Sequence, residues 1–270
     1  MSHRFRALSL AIAAAALTGA AAFAQGAAQA PQMQAPQMFV IHTEHALPSK
    51  LADYEATTKE FISLVQANRS AIPGFAFTVL QGEDFSYNYV TPIRSFADAD
   101  GIMAGFDALA KAVGGEKFGD LMRRGGATYT STDENAFVEV PAGSYWPAGA
   151  AVTPQNAGYY QLDFYYVTPG YEDAAGEVAA SWKKLFENGK VPYGYSVFRL
   201  ALGNDGPLWV VTTPAKDAAN LAEINAASMK AIGAEAWQAQ VAKTMAICRG
   251  FDSKRYTVRR DLSLPPVASK

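Results

Sequence analysis

The sequence contains the same pattern twice, and this duplication restricts the available folds more than any other feature. Residues 72–79 (IPGFAFTV) return as residues 191–198 (VPYGYSVF), so that Pro73 and Pro192 stand 119 residues apart (192 − 73). Internal repetition at a fixed spacing is typical of chains built from copies of one structural unit. Each copy has roughly 105 residues, which is enough for a core of its own.

The N-terminal residues 1–24 have the composition of a secretory signal peptide. A short basic head precedes an alanine-rich apolar run, and the run ends at residues 22–24 (Ala-Phe-Ala), a small-residue cleavage site. The run is shorter than the roughly 20 apolar residues of a membrane-spanning helix. We therefore expect cleavage near Ala24, a periplasmic or secreted protein with no membrane contact, and a flexible Ala/Gln/Pro linker over residues 25–37.

Charge and cysteine content exclude two further classes. Loss of Arg4 and Arg6 with the signal peptide lowers the basic residues from 23 to 21 (23 − 2) against 25 acidic ones, a net charge of −4 (21 − 25). A nucleic-acid partner needs a basic face, so none is predicted. The single cysteine, Cys248, has no disulfide partner in the chain, and its apolar neighbours near a predicted helix end indicate a small buried side chain.

Each copy has the periodicity of a β-α-β-β-α-β unit, the order of a ferredoxin-like α+β domain with both helices on one face of an antiparallel sheet. The sequence predicts two such domains in tandem, residues 38–145 and 156–265, with their open sheet faces covering each other. The predicted strands are residues 38–43, 74–80, 85–91, 136–140, 159–167, 194–202, 208–213 and 254–260; the predicted helices are residues 49–68, 102–122, 172–187 and 218–246, with breaks near Gly114 and Gly233.

This element order resembles that of the dimeric α/β-barrel superfamily. The superfamily includes antibiotic-biosynthesis-type monooxygenases, NIPSNAP-like proteins, and haem enzymes related to chlorite dismutase and the dye-decolourising peroxidases. The resemblance covers about residues 38–265 and rests on element order, duplication and the helix breaks. It implies two sheets packed face to face as a fused dimeric barrel. No catalytic motif of the superfamily is matched, and an exposed edge strand would permit a homodimer.

Alternation along the first strand of each copy selects the candidate site residues. The more apolar set, Phe39 and Ile41 in the first copy, suits the helix side, and the polar set is then expected between the two sheets. Polar groups in that position need water or a ligand, so we expect a cavity there. The predicted catalytic residues are His42, Asp163 and Tyr165, and the predicted ligand-binding residues are Val40, Glu44 and Gln161.

The histidines argue against a metal or haem. On a strand His42 and Glu44 share a face while His45 points the other way, so a metal site in this string would require the strand to end before His45. The related haem enzymes take an axial histidine from the C-terminal copy, and this chain has no histidine after His45. A tyrosine ligand stays open. No metal and no cofactor are predicted.

Three functional hypotheses remain. Aromatic residues are frequent in the predicted strands and would give a cavity apolar walls with hydroxyl groups, which suits a small apolar or aromatic molecule. The first hypothesis is a module that binds such a molecule between the sheets without chemistry. The second, which the resemblance implies, is a cofactor-independent monooxygenase or an isomerase-like enzyme. The third is a structural or protein-partner module.

Overall fold

A computed structural model describes residues 37–266. The predicted signal peptide and all but the last residue of the predicted linker lie outside the described residues. The strands are β1 (Met38–Ala46), β2 (Thr78–Gly82), β3 (Ser86–Ile93), β4 (Tyr129–Glu139), β5 (Tyr159–Val167), β6 (Ser196–Leu202), β7 (Leu208–Ala215) and β8 (Cys248–Val258). The helices are α1 (Leu51–Ala67), α2 (Phe96–Val113), α3 (Gly115–Gly126), α4 (Glu172–Asn188), α5 (Ala218–Ile232) and α6 (Ala234–Ala246).

The strands form one closed antiparallel barrel in the order β1-β3-β2-β8-β5-β7-β6-β4. Each half contributes four neighbouring strands, and the halves join where β2 pairs with β8 (Gln81↔Thr257) and β4 with β6 (Val138↔Arg199). The two predicted sheets are therefore joined at their edge strands into one continuous sheet. Within residues 37–266 this closure leaves no free barrel edge for the predicted homodimer. The boundaries of two separate domains stay a prediction.

The helix breaks lie where the sequence places them. Gly114 separates α2 from α3 with φ of 97°, and Gly233 separates α5 from α6 with φ of 91°. Both values fall in the left-handed region that only glycine adopts without strain. No helix among the described residues is long and apolar enough to cross a membrane.

The last strand of each half starts earlier than predicted. β4 begins at Tyr129 and β8 at Cys248, although polar residues fill the first half of β4 and give little strand signal. Pairing with the first strand of the same half supplies the backbone partners, as in His42↔Glu134. Cys248 consequently begins a strand instead of ending a helix, and its free thiol is half-buried.

The barrel interior is packed with apolar side chains, and the two cavities described below lie against the helices instead of between the sheets as predicted. The predicted side-chain directions on β1 and β5 are reversed, because Ile41 and Leu162 face the interior. The barrel interior takes the more apolar of the two alternating sets, and the helix-facing side takes the set that carries the polar residues. Residues that pack in the interior include Leu80, Phe137, Leu162, Phe164, Tyr166, Leu208, Val210 and Tyr256.

The two halves exchange short segments. After β4 the chain crosses to the second half, where Tyr145 is buried and exchanges backbone hydrogen bonds with Tyr195. After β8 the chain crosses to the first half, where Leu264 does the same with Phe77 and Leu262 is fully buried. Each half therefore completes the core of the other.

Candidate functional site

Two cavities lie between the barrel wall and the helices, one in each half. The first cavity, of about 370 Å³, is enclosed by β1, β3 and α1 to α3. The second cavity, of about 300 Å³, is enclosed by β5 to β7 and α4 to α6. All six residues selected from the sequence line these cavities, although on the helix side of the barrel wall. The first cavity holds Val40, His42 and Glu44, and the second holds Gln161, Asp163 and Tyr165.

The two sets occupy equivalent places in the barrel. His42 is the fifth residue of β1 and pairs with Tyr89 and Glu134 on the flanking strands. Asp163 is the fifth residue of β5 and pairs with Val211 and Ser253. The structure therefore separates the six residues into two sites with different chemistry at matching positions.

Apolar side chains form most of the first cavity. Met103 on α2 and Met122 on α3 line it and are also solvent-exposed, so the cavity opens between these helices. Methionine side chains adapt to ligands of different shape. The other apolar lining residues include Phe61, Phe75, Phe77, Ile102, Phe106 and Leu121.

A continuous chain of hydrogen bonds runs from solvent into the first cavity. His42 Nδ1 lies 3.2 Å from Glu134 Oε1, and His42 Nε2 lies 3.4 Å from Glu44 Oε1. The Tyr54 hydroxyl donates to Glu44 Oε2 at 2.6 Å and lies 2.6 Å from the Tyr89 hydroxyl. Side-chain exposure falls from 72% at Glu134 to 15% at Glu44, so the chain connects the surface with a largely shielded carboxylate.

His42 is protonated at neutral pH. Burial lowers its pKa, but the hydrogen bonds with Glu134 and Glu44 outweigh burial and raise the pKa to about 9. Both ring nitrogens then act as donors. The same bond from His42 lowers the pKa of Glu134. Burial raises the pKa of Tyr54 and Tyr89, so both stay neutral phenols.

His45 does not join this site. β1 continues to Ala46, so His45 points away from His42. Its Nε2 atom lies 3.3 Å from Asp133 Oδ2. Among residues 37–266, no three His, Cys, Asp or Glu side chains are arranged to hold a metal ion.

The second cavity is richer in aromatic side chains. Trp182 and Trp237 meet edge to face at a centroid distance of 4.9 Å, and Trp209 contributes from β7. Tyr165 also lines the cavity, and its ring centroid lies 5.1 Å from that of Phe251. Burial raises the pKa of the Tyr165 hydroxyl. These side chains form flat apolar walls suited to an aromatic ligand.

Asp163 is the carboxylate of the second cavity. Gln161 Nε2 lies 2.9 Å from both carboxylate oxygens, and the Ser253 hydroxyl donates to Oδ1 at 2.6 Å. Burial raises the pKa of Asp163, and these bonds offset the rise only in part. No salt bridge to Asp163 occurs in the described part of the chain.

Sequence reasoning missed three polar residues of these cavities. Tyr54 lies on the buried stripe of α1, where its spacing indicates only core packing. Glu134 lies opposite His42, but its position in a strand had no sequence signal. Tyr195 was grouped with other strand aromatics, although its buried hydroxyl has no hydrogen-bond partner within the described part of the chain.

No family model and no curated protein matches the sequence. Among solved structures, an anthrone oxidase-like protein has 16% identity and a TM-score of 0.57 over 88% of this chain and 98% of that chain. A candidate monooxygenase from Fusobacterium nucleatum has 11% identity and a TM-score of 0.51 over 84% and 94%. A mutant chlorite dismutase from Candidatus Nitrospira defluvii has 9% identity and a TM-score of 0.50 over 85% and 94%.

The fold is that of the dimeric α/β barrels. At these identities the likeness concerns architecture alone. The resemblance to haem enzymes noted from the sequence can be compared with the residues of the second cavity, which lies in the C-terminal half.

The residues of this α/β barrel do not fit haem in the second cavity. Among residues 37–266, no histidine lines that cavity. Tyr165 and Tyr195 line the cavity, and burial raises the pKa of both hydroxyls, so without a metal both are neutral phenols. The donor set therefore suits a hydrogen-bonded organic ligand better than an iron porphyrin.

Proposed function

We propose that this protein is an enzyme that removes a proton from a small aromatic molecule in the first cavity and thereby starts a cofactor-independent oxygenation. The observation that carries the proposal is the hydrogen-bonded chain from Glu134 through His42 to Glu44 and Tyr54. This chain holds the Glu44 carboxylate in the wall of a largely apolar cavity. A base in such a place is the minimum requirement for proton abstraction.

Glu44 is the base in this proposal. Its Oε1 accepts from protonated His42 and its Oε2 from Tyr54. A carboxylate oxygen has two lone pairs, so each oxygen keeps one for a substrate proton. His42 has a different role from the general base expected for a histidine: with a pKa of about 9 it orients Glu44 and supplies positive charge beside a substrate anion.

The chemistry requires only dioxygen as a second substrate. Proton removal from an activated CH₂ group leaves an electron-rich anion, which transfers electrons to O₂. The balanced reaction is R₂CH₂ + O₂ → R₂C=O + H₂O, in which carbon is oxidised and dioxygen reduced. The names of two similar structures, an anthrone oxidase-like protein and a candidate monooxygenase, agree with this class of reaction.

The substrate is a small aromatic compound. The first cavity, of about 370 Å³, has Phe61, Phe77 and Phe106 among its walls, and ligand pockets of roughly 300–1,000 Å³ commonly hold compounds of this kind. An anthrone is a suitable probe because its central CH₂ group is acidic and its rings are flat.

Dithranol, a dihydroxyanthrone, tests the proposal. Oxygen uptake and quinone absorbance are followed with the chain that begins at Gln25, and the spontaneous rate without protein is subtracted. We expect Glu44→Gln to lower kcat by about 100-fold or more, because it removes the base but keeps the shape. Glu83→Gln, on an exposed turn, is the matched control and keeps the full rate.

Binding without oxygen uptake by the unaltered protein would contradict the enzyme proposal and support the binding module. A lack of both would favour the protein-partner module. Equal rates for Glu44→Gln and the unaltered protein would show that Glu44 is not the base.

We further propose that residues 1–24 direct export to the periplasm or the medium, and that the two halves descend from tandem ferredoxin-like domains of residues 38–145 and 156–265. The patterns in the sequence support both statements. The intact mass of the protein from a periplasmic fraction tests the first, because cleavage near Ala24 leaves Gln25 as the first residue. A mass that includes residues 1–24 would contradict export with cleavage.

A further inference from the structure

We infer that the second cavity is a separate binding site for a small aromatic amine, whose ammonium group pairs with the Asp163 carboxylate while its ring lies among the tryptophans. This site goes beyond the function proposed for the first cavity and does not depend on it. The two cavities do not share any lining residue.

The charge of the cavity wall supplies the first argument. Among residues 37–266, the lining contains one carboxylate, that of Asp163, and no lysine, arginine or histidine. Asp163 is half-buried and forms no salt bridge with any described residue. Because a shielded charge is costly unless it is paired, an organic cation is the ligand that best complements this wall.

The nearby guanidinium of Arg255 does not fill this place. Arg255 lies opposite Gln161 in the pairing of β5 with β8. Burial raises the pKa of Asp163, and the hydrogen bonds from Ser253 and Gln161 and the charge of Arg255 oppose that rise. Arg255 is nevertheless solvent-exposed and does not line the cavity. The face of Asp163 that borders the cavity therefore has no positive charge beside it in the described structure.

The neighbours of Asp163 hold its carboxylate in place for a ligand. Oδ1 accepts from Gln161 and Ser253, and Oδ2 accepts from Gln161, so Oδ2 keeps a lone pair for a further donor. The Gln161 side-chain oxygen accepts from Asn225 at 3.4 Å, which directs the Gln161 amide group toward Asp163. Asn225 lines the cavity and is solvent-exposed. The cavity therefore opens near its carboxylate.

Aromatic rings stand beside this carboxylate. Tyr165 lies two residues after Asp163 on the same face of β5, and Trp209 on β7 pairs with Tyr165. Each is about 7 Å from Asp163 between Cα atoms, a spacing that long side chains bridge. A cation bound by Asp163 is thus next to ring faces, which attract positive charge. The same register places an aryl group of the ligand a short chain away from its ammonium group.

The remaining walls receive that aryl group. Trp182 and Trp237 line the cavity and meet edge to face, together with Phe186. The Trp182 indole N–H donates to the Thr244 hydroxyl at 2.9 Å, which fixes the ring. The cavity volume of about 300 Å³ is at the small end for ligand pockets. One or two rings with a short aminoalkyl chain fit these limits.

The test compares three compounds that share a phenylethyl group and differ in the charge of its end: 2-phenylethylamine, 2-phenylethanol and 3-phenylpropanoate. Isothermal titration calorimetry on the mature chain at neutral pH, where the amine is protonated, gives each Kd. We expect the amine to bind about tenfold or more tightly than the alcohol, because a hydrogen bond between charged groups is stronger than one to a neutral hydroxyl. The carboxylate should bind most weakly, since Asp163 repels it.

Two charge-removing variants locate the cation. Asp163→Asn should weaken the amine by about tenfold or more and change the Kd of the alcohol by less than about threefold. Glu177→Gln is the matched control, because Glu177 is an exposed carboxylate on α4 that does not line the cavity. It should leave both Kd values unchanged.

The tryptophans report where the amine binds. Three of the chain's four tryptophans line the second cavity, and none lines the first. Phenyl compounds do not absorb where tryptophan alone is excited, so binding in the second cavity should change the tryptophan emission. Calorimetric binding without any change in that emission would place the amine elsewhere and overturn the inference.

Three further results would overturn it: no binding of the amine, equal affinities for the amine and the alcohol, or an unchanged Kd for the amine in Asp163→Asn. If Asp163→Asn does not fold, as judged by circular dichroism, the three compounds on the unaltered protein still decide. The readout is binding and not turnover, so failure of this inference is distinguishable from failure of the oxygenase proposal.

Discussion

The two cavities have the same backbone frame and opposite polar chemistry. At the fifth position of the first strand, the first half places His42 between two glutamates, and the second half places Asp163 among neutral donors. The interior position one residue earlier is apolar in both halves, Ile41 and Leu162. The difference teaches that the barrel interior fixes the fold, while the helix-facing positions can change their chemistry at little cost to the fold.

The halves differ less in how they are held together. Tyr145 enters the second half and Leu264 enters the first, again 119 residues apart (264 − 145). This exchange makes each half depend on the other, whereas the cavities belong to one half each. Stability measurements can therefore separate what the halves share from what they do not.

The largest effect is expected at the exchanged segment. Leu262 is fully buried in the core of the first half, so Leu262→Ala should lower the free energy of unfolding by about 2–5 kcal/mol. Leu202→Ala, at a side chain that is 45% exposed, is the control and should cost less than about 0.5 kcal/mol. The measurement is urea denaturation. A similar small loss for both variants would show that the exchanged segment does not support the first half.

The pH dependence of stability should be set in part by His42. Its pKa is raised from 6.5 to about 9 on folding, so its contribution is complete below pH 6.5 and is lost as the pH rises through 9. Because the side chain is 35% exposed, we expect about 1–2 kcal/mol after allowance for solvent screening. His42→Gln should remove this dependence of the free energy of unfolding on pH. Denaturation of the variant and of the unaltered protein between pH 6 and 10 measures the difference. Parallel pH dependences in the two proteins would contradict the prediction.

A matched pair of serines tests the symmetry of the exchange. The Ser144 hydroxyl accepts from the Val197 amide and the Ser263 hydroxyl accepts from the Val79 amide, both at 2.9 Å. Ser144→Ala and Ser263→Ala should each lower the free energy of unfolding by about 1 kcal/mol, since each leaves one amide unpaired. Thermal unfolding of both variants gives the comparison. A large loss of stability in only one variant would mean that only that exchanged segment contributes substantially to the stability of the barrel.

The smallest effect is expected at Asp163. Burial raises its pKa above 3.8 in the folded protein, so stability falls as the pH rises from 3.8 through the raised value. Asp163→Asn should remove this fall in the free energy of unfolding at acidic pH. It should leave the alkaline pH dependence that His42 causes unchanged. Unfolding between pH 3.5 and 6 measures it. If the variant kept the same acidic slope, another group would be responsible.

Much of the fold was predictable because it rests on local patterns. The helix breaks at Gly114 and Gly233 were placed correctly, since glycine at a positive φ is a local requirement. The boundaries of β5 were also correct. The starts of β4 and β8 were not, because polar residues become strands there only through pairing with a neighbour far along the chain.

The sequence alone determined the duplication, the element order and which residues alternate on β1 and β5. Only the tertiary structure decided which of the two alternating sets faces the barrel interior and which faces the helices. Alternation defines two faces, and which of them points inward depends on how the strands close into the barrel and where the helices pack. In the closed barrel, Ile41 and Leu162 face the interior. His42 and Asp163 were thereby turned toward the helices, where long-range contacts supply Glu134 and Ser253.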